Sequence, residues 1–219
     1  MSTANERWHG FPVGTLLLGG LLAAVLLTTH LLVRPPPPPA ILEGVLRADF
    51  RPLTRFYLNS RSHGPLGLDD LRGKWTFVYF GYRSCPDLCP NTLHELASFR
   101  RLLDDSGAAD AGRVQVLFVS VDPARDSEEA LDEYVAWFDP RFIGATAGRA
   151  AIERFARQFG ADFAYGEETA PGQYTVSHSS AVFLVDPHAR VVATFSEPHY
   201  AATLLAQYRG IVDYYASSG

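Results

Sequence analysis

The sequence predicts an α/β domain, a mixed central sheet flanked by helices, carried behind one apolar N-terminal helix. Two observations predict the domain: apolar runs rich in β-branched and aromatic residues over 75–81 and 114–121, and segments of helical apolar spacing alternating with them. A third predicts the leading helix: residues 13–33 contain no Asp, Glu, Lys or Arg.

At ~1.5 Å per residue, a helix over 13–33 spans roughly 31 Å, about the thickness of a bilayer core. A cleaved signal peptide is the competing reading, but its apolar core is usually shorter, and no A-x-A-like site follows directly. An uncleaved anchor is preferred, and no cysteine follows that would make a lipoprotein. Arg7 and Arg34 flank the span, so the positive-inside count is nearly even. A short N-terminal segment, 1–12, followed by one span and a large domain favours N-in, domain-out. His30 reads as an interfacial polar residue. Pro35 to Pro39 favour a polyproline II stalk, placed over 34–44, before a domain over 45–219.

That domain, about 170 residues, is long enough for one full core. Hydrophobic residues make up 47% of the chain and net charge is −5, so neither disorder nor nucleic-acid binding is the expected class.

Within the domain, Trp75 to Gly81 reads as a buried central strand. A CPDLCPN turn follows, then a helix over 92–103 with Leu93, Leu96, Ala97, Phe99 or Arg100, and Leu103 on one face. Val114 to Val121 is a second buried strand. Ser127 opens a helix with Glu128 and Glu129 in its first turn, where acidic groups suit the helix dipole. Leu131, Tyr134, Val135 and Phe138 form its apolar face. Residues 142–145 form a short strand, and 148–159 a helix with Ile152, Phe155, Ala156 and Phe159 inward. Residues 180–185 and 190–195 are strands joined by a turn at Asp186 to Ala189, and a helix over about 199–214 closes the chain. Parallel strands with helical crossovers, ending in a hairpin and a helix, are the order of a thioredoxin-like domain.

The two cysteines, Cys85 and Cys89, close too short a loop to staple a fold, so reactivity or metal binding is the better reading. They sit where a buried strand turns into a helix. With Cys89 in the first helical turn, both sulfurs face the end of the sheet, and unpaired backbone N–H groups there favour thiolate. Pro86 and Pro90 stiffen the loop. Such a pair either cycles between dithiol and disulfide or holds a soft ion such as Cu(I). Two inert buried cysteines are the plain alternative.

Residues 80–90, FGYRSCPDLCP, resemble the signature of the Sco/SenC family of copper-binding cytochrome oxidase assembly proteins. Residues 119–126, VSVDPARD, resemble that family's second motif, and 176–179, VSHS, its histidine motif. The resemblance covers roughly residues 45–215 in order, and the leading span agrees with the family's usual single anchor. It implies that Cys85, Cys89 and His178 ligate copper. Two thiolates suit Cu(I), and an added imidazole suits Cu(II) as well. Asp87 and Asp122 are candidate outer carboxylates, with Asp122 equally readable as a cap for the helix near Ser127. Ser177 stands where family members often have Asp, and Arg83 where Thr is common. The lost carboxylate is expected to weaken the orientation of His178, and the added Arg to favour thiolate while repelling a copper cation. His63, His94 and His188 read as surface residues, while His199 has a place near the site as its less favoured reading.

The resemblance implies two roles from different classes. One is a metallochaperone passing copper to the dinuclear copper site of a cytochrome c oxidase subunit, with another copper chaperone as a possible donor. The other is a thiol-disulfide oxidoreductase acting on that target, with Cys85 attacking and Cys89 resolving. A peroxidase would need a single activated cysteine with its own Thr and Arg arrangement, which is not found. A bacterial inner membrane with the domain in the periplasm is the expected location, with the mitochondrial inner membrane as the alternative; the short N-terminus lacks an Arg-rich, Ser-rich presequence.

Overall fold

The computed structural model describes residues 13–32 and 37–218. The expected N-terminal segment 1–12, the last residue of the expected anchor, 33, and the first part of the stalk, 34–36, lie outside the described residues. Val13–Leu32 forms one helix of 20 residues, α1. Leu17, Leu18, Leu21, Leu22 and Val25 on it stand exposed. Side chains are described for only part of α1, and among the described residues no helix is long and apolar enough to cross a membrane.

The last part of the expected stalk turns once as Ala40–Leu42 and packs on the domain. Leu42 is buried there, and a Cβ added at Gly210 would meet its side chain at 3.4 Å. The chain then continues through strands β1 (Leu46–Pro52), β2 (Leu58–Ser60) and β3 (Gly64–Leu66), and into β4 (Trp75–Gly81). Next come α2 (Leu88–Asp105), β5 (Val114–Ser120), α3 (Glu128–Ala136), β6 (Ile143–Ala145) and α4 (Arg149–Phe159). The last elements are β7 (Phe163–Tyr165), β8 (Val176–His178), β9 (Val182–Val185), β10 (Arg190–Phe195) and α5 (Ala201–Ser218).

One six-stranded mixed sheet has the order β1-β10-β9-β4-β5-β6. β4, β5 and β6 run parallel, while β9 is antiparallel to β4, and the edge on that side is antiparallel throughout. β2 pairs β3, and β7 pairs β8, as two separate antiparallel hairpins.

Both faces of the sheet are covered, which is why its central strands are apolar without alternation. Phe77 and Tyr79 face one core with Val116, Phe118 and the inner faces of α2, α3 and α5. Val78 and Phe80 face the other with Leu117, Val119 and α4. Leu93, Leu96, Phe99 and Leu103 of α2 have no exposed surface, each contributing about 1.5–3 kcal/mol by leaving water. Arg100 beside them is also buried, with its guanidinium on the carbonyls of Ala111 and Val114.

Helix ends follow local chemistry. The Ser127 hydroxyl accepts from the Ala130 N–H at 3.2 Å and caps α3. Gly160, at φ +73°, ends α4 in the left-handed conformation that glycine adopts without a Cβ penalty.

Candidate metal centre

The site forms where β4 ends and α2 begins. Residues 82–85 turn, with the Cys85 N–H on the Tyr82 carbonyl, and α2 starts at Leu88 with Cys89 in its first turn. Pro90 follows in that turn, where its missing N–H leaves no intrahelical bond unmade. Cys85 is half-buried and Cys89 is buried. His178 comes from the far side of the sequence as the last residue of β8, paired with Phe163.

One ligand atom each from Cys85, Cys89 and His178 lies within 4.8 Å of the other two. The Cys89 Sγ and His178 Nε2 are 3.5 Å apart. Metal bonds of about 2.0–2.3 Å in a trigonal arrangement need ligand atoms about 3.5–4 Å apart, so closure on an ion takes small movements. The His178 Nδ1 lies 2.9 Å from the carbonyl oxygen of Ser179, which can only accept. Nδ1 therefore carries the proton, and the lone pair of the neutral ring is on Nε2, towards the sulfurs.

The sulfurs share one proton unequally. A hydrogen bond from Cys89 draws the Cys85 thiol down to about 4; burial opposes this, and His178 with the backbone N–H groups of Cys89 and Asp87 adds to it. Cys89 is pushed up by its bond to Cys85 and by burial, so it keeps the proton. For His178 burial favours the neutral ring, but the Cys85 sulfur and the Ser179 carbonyl outweigh it and the net shift is upward. Two polarizable thiol groups and one oriented imidazole match the ligand preference of copper in both oxidation states.

The sequence reading missed the aromatic surround. Tyr79, buried in β4, lies with its hydroxyl 3.8 Å from Cys89 Sγ. The rings of Tyr79 and Tyr82 meet His178 edge-on at 6.2 and 5.8 Å. A tyrosine on an otherwise apolar buried strand was the available signal, because a buried hydroxyl needs a partner. Gly81 was missed too. A Cβ there would lie 2.6 Å from Cys89 Sγ and 2.8 Å from Phe118, so only glycine lets α2 bring its sulfur this close.

The expected outer residues divide. Asp122 is wholly buried, pairs with Arg125 and accepts from the Tyr174 hydroxyl at 2.6 Å. It does not cap α3, because Ser127 does. Arg125 stacks over Tyr174 at 3.8 Å and reaches Tyr82 at 5.6 Å, so Asp122 meets the centre only through that chain. Asp87 contributes its backbone N–H to Cys85, while its side chain makes no cap to α2. Arg83 faces the buried Asp126 at 3.8 Å, and its backbone N–H donates to the same carboxylate at 3.0 Å. Ser177 is exposed, with its hydroxyl on the Ala164 carbonyl at 3.2 Å. Among the other histidines, His63, His94 and His188 are exposed. His199 is buried against the Ser180 carbonyl at 3.0 Å, outside the three-ligand cluster.

The sequence profile of the SCO1/SenC family matches residues 48–213. The chain belongs to this family. Among SCO1/SenC proteins it is 37% identical over 118 residues to the mitochondrial SCO2 homolog of Danio rerio, covering 54% of this chain and 42% of that protein. It is 34% identical over 138 residues to mitochondrial SCO2 of Saccharomyces cerevisiae, covering 63% and 45%. The chain thus spans less than half the length of these two curated relatives. The crystal structure of Arabidopsis thaliana ScoI with copper bound superposes with a TM-score of 0.65 at 32% identity, over 74% of this chain and 97% of that one. Yeast Sco1 with copper bound gives 0.68 at 28% identity, over 74% and 89%. The fold is the thioredoxin-like one expected, and copper is bound in solved relatives of it.

Proposed function

We propose that this SCO1/SenC chain binds copper through Cys85, Cys89 and His178 and delivers it to the dinuclear copper site of cytochrome c oxidase. One observation carries the reading: three soft or borderline donors lie within 4.8 Å of one another, with the imidazole lone pair already turned inward. Half-burial of Cys85 leaves the cluster open on one side, where thiolates of an acceptor can enter and exchange ligands without copper becoming free. A second copper chaperone serves as donor. The run 13–33, without Asp, Glu, Lys or Arg, supports a single membrane anchor. The domain then stands in the periplasm at a bacterial inner membrane, with the mitochondrial inner membrane as the alternative.

The test is anaerobic Cu(I) titration of the full chain in detergent, alongside C85S and C89S. Binding about micromolar or tighter in wild type, lost in both variants, supports the reading; absence of binding in wild type removes it.

A second reading, disulfide reduction of the same target, is favoured by the unequal sulfurs. The Cys85 thiolate attacks a target disulfide and releases one target thiolate. Cys89, losing its proton, then attacks Cys85 and releases the second, so two electrons pass to the target and Cys85–Cys89 becomes the disulfide.

A further inference from the structure

On the face of the sheet covered by α4, well separated in sequence from the metal centre, Arg55, Arg154 and Arg157 line a cleft of about 510 Å³. Among the described residues, no acidic side chain lines it. None of these guanidiniums has a hydrogen-bond or ion-pair partner among the described residues, whereas neighbouring Arg149 pairs with Glu153 at 2.9 Å and Arg47 donates to the Phe159 carbonyl. In a chain of net charge −5, three unpaired cations around one cleft are a local inversion of sign. Their mutual repulsion is unfavourable unless an anion sits between them.

The walls of the cleft are tied together. Gln158 Oε1 on α4 accepts from the Thr54 N–H at 2.7 Å and from its hydroxyl at 3.0 Å. Phe56 packs on Phe155 with ring centroids 4.4 Å apart. The segment bearing Arg55 is therefore held against the helix bearing Arg154 and Arg157. Both acceptor bonds use the Gln158 oxygen, which leaves its NH2 group as a further donor.

We infer that this cleft binds a phosphate-bearing anion, held by the guanidiniums of Arg55, Arg154 and Arg157. Guanidinium forks match phosphate oxygens in pairs, and three charges suit a polyvalent anion better than a single carboxylate. The ligand is either a soluble phosphate or the headgroup of an anionic phospholipid. The cleft shares no residue with the metal centre, so the inference stands apart from the copper reading.

The test uses the full chain in phosphatidylcholine nanodiscs, with phenylglyoxal modification of Arg55 followed by peptide mass spectrometry. Inorganic pyrophosphate is the soluble probe, and discs containing phosphatidylglycerol without pyrophosphate are the lipid arm. Either is expected to slow modification of Arg55 about tenfold at saturation, with exposed Arg101 on α2 unprotected. Protection by pyrophosphate alone assigns a soluble phosphate, and protection by phosphatidylglycerol alone assigns a headgroup. The double variant R154Q/R157Q, changed only at exposed positions and checked for an unaltered melting temperature, is expected to lose the protection. Equal rates at Arg55 under all conditions, equal protection in the double variant, or equal protection of Arg101 overturns the inference.

Discussion

His178 presents Nε2 to Cys89 Sγ at 3.5 Å while its Nδ1 donates to the Ser179 carbonyl at 2.9 Å. The backbone of the residue next to the ligand thus sets which nitrogen faces the sulfurs. Removing the ring leaves two sulfurs, a set that suits Cu(I) better than Cu(II).

His178→Ala is therefore expected to abolish retention of Cu(II) while leaving disulfide exchange largely intact. Loss of a direct ligand should exceed the roughly 10–100-fold cost of losing an outer-shell partner. The checks are the Cu(II) absorption and electron paramagnetic resonance signals after gel filtration, with reduction of a model disulfide measured in parallel. Unchanged Cu(II) retention would remove His178 from the ligand set.

The Cys85 thiol is drawn down to about 4, chiefly by its hydrogen bond from Cys89. Lowering favours the thiolate, so Cys85 is already ionised across pH 6–8, whereas an ordinary thiol of pKa about 8.5 gains reactivity close to tenfold per pH unit there. Alkylation of Cys85 by iodoacetamide should accordingly be nearly flat over that window in the metal-free chain. Protonation should slow it only as the pH falls towards about 4. In Cys89→Ser the flat region should shift upward, because the strongest stabilising bond is altered. A tenfold rise per unit in wild type would contradict the shared-proton arrangement.

Gly81→Ala places a Cβ 2.6 Å from Cys89 Sγ and 2.8 Å from the Phe118 ring. Both neighbours are fully buried, so neither yields freely. Overpacking of this kind costs about 1–3 kcal/mol. The expected result is a lower melting temperature together with weakened Cu(I) binding, since relief of the clash moves the sulfur. A fall in stability with copper affinity unchanged would show that Phe118, and not Cys89, absorbs the strain.

Much of this was legible in the sequence wherever burial was two-sided. The runs 75–81 and 114–121 read as strands, and are found as β4 and β5 over 75–81 and 114–120, because both of their faces pack on cores. Ser127 announced α3 by its cap, and the turn at Asp186 to Ala189 by its residue types. The two hairpins were not legible: β2, β3, β7 and β8 are three residues each, too short for a period to register. His178 precedes the strand expected over 180–185, found as β9, and also ends β8, which was not expected. The arginine cleft was invisible because α4 and the segment before β2 meet only in the folded chain.

Ser177 separates the sequence expectation from the geometry. A lost carboxylate beside His178 reads in sequence as a loss of orientation. On β8, however, successive side chains point to opposite faces, with Val176 buried, Ser177 exposed and His178 half-buried. Position 177 therefore points away from the His178 ring, and the orienting acceptor is the Ser179 carbonyl. Ser177→Asp is expected to change Cu(II) affinity by no more than about threefold, the scale of a screened surface charge. It should also leave the His178 signals of the metal-free chain in place. Competition titration against a chelator measures the first, and imidazole nitrogen NMR shifts measure the second. A gain of tenfold or more would mean that the Asp side chain reaches the ring around the strand edge, displacing the backbone carbonyl as the partner of Nδ1.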